Sequence, residues 1–182
     1  MAITPELKKA VSALPHAEKD KLLFRLLKLN PDLVERLQFE LVEQGDSLQQ
    51  RRDEVEKYID VMVRQQPYSP GYLMMDLRSA NAEITRHVKY TKDKEGEIQL
   101  TLHMLRHCLE LHTDFIVANL YRADTLQTYL VKRLQVVLQK LGKLHEDLYV
   151  EYEADVNYVL GKLHEKIAPR LAAQHLPKSW PS

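Results

Sequence analysis

Cysteine is almost absent from this chain of 182 residues, where Cys108 stands alone. A single thiol closes no internal disulfide, so the pattern is that of a reducing compartment and the fold depends on its core. No apolar run approaches the roughly 20 residues that span a bilayer. Even the leucine-rich stretch at 22–29 is interrupted by Arg25 and Lys28. The N-terminal MAITPELKKAVSALPHAEKDK lacks the apolar segment of a secretory signal. The expected setting is cytoplasmic, with no membrane contact.

Charge of one sign is also missing. Lysine plus arginine equals aspartate plus glutamate at 26 each. The balance holds locally, with 11 basic and 12 acidic groups in residues 1–66, 6 and 7 in 67–120, and 9 and 7 in 121–182. Phosphate neutralisation leaves a basic footprint on nucleic-acid-binding chains, and none is visible, so no nucleic-acid partner is expected. The chain has no Gly-rich phosphate loop, no G-x-S-x-G elbow, no Cys/His zinc knuckle and no H-E-x-x-H.

What the chain does hold is apolar content. Hydrophobic residues make up 45% and charged residues 29%, enough for a sizeable core and against disorder. With only 5 glycines and 8 prolines, the spacing between breaks is helical almost throughout. Thr4-Pro5, Asn30-Pro31 and Ser69-Pro70 each read as a cap followed by first-turn proline. Ser47 and Gln50 have capping-box spacing. A β-hairpin across 88–104, turning at 93–96, competes with two helices there, because Val88, Tyr90, Ile98, Leu100, Leu102 and Met104 also alternate with period two. Helix is favoured, since Ile98, Leu102, Leu105, Leu109 and Ile116 keep helical spacing for several turns. The expected fold is all-α with about seven helices. A short-helix segment, residues 1–66, precedes an antiparallel helical bundle, residues 67–182, with the boundary in the proline-rich loop at 65–71.

The bundle is expected to end in a long helical stretch, either one continuous helix or two broken near the glycines or at 149–155. From 124 to 167 there is no proline, and isolated Gly142 and Gly161 cost only about 1 kcal/mol each in a helix. Leu130, Leu134, Val137, Leu141, Leu144 and Leu148 step by four and three, the heptad spacing of a coiled coil. An unbroken helix of that length would extend on the order of 65 Å, beyond a compact domain, unless it breaks or finds a partner.

One short stretch suggests chemistry. His103-Met104-Leu105-Arg106-His107-Cys108-Leu109-Glu110-Leu111-His112-Thr113-Asp114 holds three of the eight histidines and the only cysteine. At about 100° per residue, His103, His107, Glu110 and Asp114 line one narrow stripe. An i, i+4 histidine pair shares a metal ion readily, and a carboxylate completes such a site. A hairpin around 93–96 brings His87 level with His103, and Glu83 level with His107. Against this, the stripe points roughly 170° from the apolar face of its helix, so a site there needs a second surface to cover it. Cys108 and His112 point inward, as a small core residue and a hydrogen-bonded core histidine.

Two functional expectations follow. The first is a non-enzymatic cytoplasmic interaction or scaffold protein without catalytic residues or cofactor. It self-associates, or binds a protein partner, through the 130–148 leucine stripe. The alternative is a metal-dependent helical-bundle enzyme of hydrolase type, holding a divalent metal at His87, His103, His107 and Glu110.

Overall fold

The structure, a computed structural model, describes residues 3–181. The chain is all-α: nine α-helices and no strand among the described residues. It divides into two compact units after Ser47.

The first unit carries α1 (Pro5–Ala13), α2 (His16–Lys28) and α3 (Pro31–Leu37), the last continued by a π turn at Gln38–Val42. Two of the predicted caps form here. The Thr4 hydroxyl accepts from Leu7 N–H at 3.3 Å, and Asn30 Oδ1 accepts from Leu33 N–H at 3.2 Å. The helical run ends where Gln44 and Gly45 adopt φ of 51° and 84°, the left-handed region that glycine enters without a Cβ penalty. The Ser47 hydroxyl donates to the Glu43 carboxylate, and the Gln50 amide donates to Glu54. Phe39 is the one buried side chain among residues 3–47. Leu23, Phe24, Leu26 and Leu29 are exposed by 46%, 60%, 49% and 77%.

The second unit holds α4 (Leu48–Val63), α5 (Pro70–Thr91), α6 (Lys94–Ala118), α7 (Asp124–Leu141), α8 (Tyr149–Lys162, continued by a π turn at Leu163–Ile167) and α9 (Pro169–His175). The boundary expected at 66/67 falls inside it, between α4 and α5. Ile59 and Val63 of α4 are fully buried in the same core as Leu73 and Leu77 of α5, so the proline-rich loop is a turn between packed helices. Ser69 caps α5, its hydroxyl accepting from Tyr72 N–H at 3.4 Å.

α6 is the central helix. It packs against α4, α5, α7 and α8, and its buried residues, among them Ile98, Leu100, Leu102, Met104, Leu105 and Leu109, surround the helix axis. A helix apolar on nearly all sides belongs in the middle of a bundle. Cross-contacts set the directions. Arg52 meets Asp93 and Gln99, Asp60 meets His103 and His107, and His112 reaches Val63, so α4 and α6 run parallel. Tyr129 donates to Leu77 C=O and Arg133 to Asn81, so α7 runs with α5. Val88 and Tyr90 lie in α5, Leu100 and Met104 in α6, which removes the β-hairpin alternative.

The long C-terminal helix is two helices. α7 stops at Leu141 with Gly142 as its cap, and a non-helical segment with a short 3₁₀ turn at Glu146–Leu148 precedes α8. The break allows α7 and α8 each to lie along α6, which one straight rod cannot do. Beyond α9 the chain is pinned, since Asn157 donates to Trp180 C=O at 2.6 Å and accepts from its N–H at 2.9 Å. No helix among the described residues is long and apolar enough to cross a membrane.

Candidate metal centre

The polar stripe of α6 does acquire a cover, and the cover is α4. Asp60 lies on α4 one residue after buried Ile59, which places its carboxylate beside the histidine turn of the parallel α6. His103 and His107, one turn apart, meet the same oxygen: Asp60 Oδ1 is 2.8 Å from His103 Nε2 and 2.9 Å from His107 Nδ1. One ligand atom from each of the three residues lies within 4.8 Å of the others. The two rings stand edge to face, with centroids 5.5 Å apart. The side chains are 31%, 14% and 27% exposed for His103, His107 and Asp60, so the cluster is dry on one side and open to solvent on the other.

The second layer is organised as well. Glu56, one turn before Asp60 on α4, places Oε1 4.0 Å from His103 Nδ1, the ring nitrogen that does not face Asp60. The other Asp60 oxygen lies 3.4 Å from Arg64 Nη2. Burial pushes the Asp60 carboxyl up, but hydrogen bonds from the two imidazoles outweigh it and hold the group below its ordinary value. Asp60 is therefore a carboxylate at neutral pH, as a ligand or an imidazole partner must be.

Not all of the expected ligands arrive. His87 is buried elsewhere, its Nε2 3.0 Å from Asp93 Oδ2 at the N-terminus of α6. That carboxylate also takes two bonds from Arg52, at 2.6 and 2.7 Å, and one from Gly96 N–H at 2.9 Å. Burial pushes Asp93 up, yet His87, Arg52 and the Gly96 amide together hold it well below the usual carboxylate range. A Cβ at Gly96 would fall 2.0 Å from Asp93 Oδ2, so glycine is required at this junction. Glu110 turns along its own helix to Arg106, at 2.8 Å, and Arg106 also pairs with Asp155 of α8. Asp114 is exposed.

The inward residues behave as read. His112 Nε2 is 2.6 Å from Val63 C=O. Cys108 is fully buried, and burial pushes its thiol up to about 12, far from nucleophilic range. Leu130, Leu134, Val137 and Leu141 are at most 1% exposed inside the chain's own core, while Leu144 and Leu148 are half-buried beyond the end of α7. The stripe is thus core packing in the single chain. Comparison with protein-family models, curated proteins and solved structures finds no match to this chain.

Proposed function

We propose that the chain is a metal-binding helical bundle that holds one divalent transition-metal ion at Asp60 Oδ1, His103 Nε2 and His107 Nδ1. The convergence of those three atoms from two packed helices carries the reading. An ion about 2.0–2.1 Å from each ligand, in tetrahedral array, needs ligand atoms about 3.3 Å apart. The two contacts to Asp60 would lengthen by about half an ångström, within reach of side-chain rotation at a half-exposed site. Two imidazoles and a carboxylate suit zinc, iron, manganese, cobalt or nickel rather than calcium or magnesium, which favour all-oxygen shells. Glu56, 4.0 Å from the remote nitrogen of His103, would have to move closer to hydrogen-bond and orient a metal-bound imidazole. Three protein ligands leave a fourth position for water, which such an ion acidifies, and hydrolytic chemistry is the reaction class this favours.

The experiment is elemental analysis of untagged protein after loading with each metal, alongside thermal unfolding. Stoichiometric metal, lost in His103→Ala/His107→Ala, and a raised unfolding temperature are expected. Saturation at a hundredfold excess over Kd stabilises by about 2.7 kcal/mol. Absence of bound metal under every loading condition would reduce the triad to a hydrogen-bonded clamp between α4 and α6 and end the proposal.

A second reading rests on the first unit. With Phe39 its one buried side chain among residues 3–47, it has too little core to stand on hydrophobic burial alone. Its exposed Leu23, Phe24, Leu26 and Leu29 supply the surface of an interaction protein that self-associates through this unit.

A further inference from the structure

Where α7 stops, the bundle end opens. The chain leaves α7 at Gly142, and the end of α7 with the segment after it meets the C-terminal turns of α5 and the first turns of α6. Between them lies a cleft of about 380 Å³ lined by Val88, Lys94, Glu97, Ile98, Lys140, Lys143 and Leu144. That volume lies in the range of small-molecule pockets, roughly 300–1,000 Å³.

Its lining is divided by chemistry. Ile98 is buried, Val88 and Leu144 are half-buried, and these three form an apolar surface. The charged groups are three lysines and one glutamate, from α6, α7 and the segment after it. Glu97 is committed to an ion pair with Lys140. Lys94 and Lys143 are exposed and carry the excess positive charge. The positive end of the α6 dipole adds little, because Asp93 already caps it through Gly96 N–H. An apolar surface rimmed by uncompensated ammonium groups discriminates in two ways: it gains by covering aliphatic carbon and by pairing with an anion, and it repels cations.

We propose that this cleft binds a small organic anion with an aliphatic body, of the class of medium-chain carboxylates and alkyl phosphates. The chain lies over Val88, Ile98 and Leu144, and the head group sits between Lys94 and Lys143. The site is independent of the α4–α6 histidine centre and stands or falls without it.

The test is titration of ¹⁵N-labelled full-length protein with octanoate, octyl phosphate and octanol. Expected are saturable shifts centred on Val88, Lys94, Ile98, Lys143 and Leu144. Affinity should weaken with added salt, and roughly tenfold or more on Lys94→Gln/Lys143→Gln, as for loss of charge-assisted contacts. Both lysines are exposed, so the variant should fold, and circular dichroism checks that it does. Leu144→Glu, which places a carboxylate against the head group, should abolish binding of either anion. Tighter binding of octanoate or of octyl phosphate identifies the head group and supports the site. Octanol binding as tightly as both anions, shifts centred elsewhere, or no binding up to the solubility limit would overturn it.

Discussion

Replacing Asp93 by alanine strikes the junction on which α4, α5 and α6 all converge. The carboxylate side chain is 4% exposed and receives four hydrogen bonds from Arg52, His87 and the Gly96 amide. Alanine removes the cap of α6, about 1 kcal/mol. It also leaves the Arg52 guanidinium, 15% exposed, without its opposite charge and with only the Gln99 amide oxygen at 3.3 Å. Breaking a buried pair in this way costs about 3–5 kcal/mol, more than the net worth of the pair, because the remaining charge is stranded. The two losses share atoms and do not simply add, so about 4 kcal/mol is expected. Against total stabilities of about 5–15 kcal/mol that is a large fraction, and the melting temperature should fall on the order of 10 °C.

Urea unfolding followed by helical ellipticity measures the loss. Asp93→Asn, which keeps a cap acceptor but no charge, should lose less. The sign of the pH dependence is fixed, because Asp93 titrates lower in the folded chain than unfolded. Its contribution is complete above the unfolded carboxyl value of about 3.9 and is lost as pH falls below that toward the folded value. The gap between wild type and Asp93→Asn should therefore shrink from pH 5 to pH 2. A loss under 1 kcal/mol in the alanine variant at pH 7, or a gap that widens on acidification, would refute the assignment.

Leu134→Ala, at a position with no solvent exposure, should cost about 2–5 kcal/mol in the same assay without altering solution mass. A dissociated oligomer with undiminished stability would return the leucine stripe to an intermolecular role. For the first unit, Leu23→Asp/Leu26→Asp should lower the mass measured by light scattering while leaving helicity intact. An unchanged mass would remove the self-association reading.

Much of the local structure was legible because it depends on neighbours in sequence. Thr4, Asn30 and Ser69 cap their helices as the X-Pro signals require, and the inward placement of Cys108 and His112 follows from 100° per residue. The failures come from tertiary partners. A hairpin brings His87 level with His103, but Asp93, in the turn at 93–96, captures it. Asp60 sits 43 residues before His103, on a helix of the other expected segment, and no local pattern links the two. Its signal was the placement of Glu56 and Asp60 one turn apart beside the apolar Val55–Ile59 side of α4. The heptad spacing falls on one helix only from Leu130 to Leu141, and periodicity does not say whose core an apolar stripe enters.

The parallel pairing of α4 and α6 also bears on how the histidine cluster is completed. The two are next-but-one along the chain, and α5, which packs on both, carries the chain back between them. An isolated α6 would already hold the histidine pair at i, i+4, but the carboxylate arrives only when two turns, at 64–69 and at 92–93, have closed. Two ligands are thus local and the third is long-range, with a loop-closure entropy to be overcome before it contributes. Under the metal reading, weak capture by the histidine pair precedes tertiary structure, and tight capture reports that α4 is docked. On that reading, an event that loosened α4 would release the ion, and occupancy would gauge the bundle's integrity.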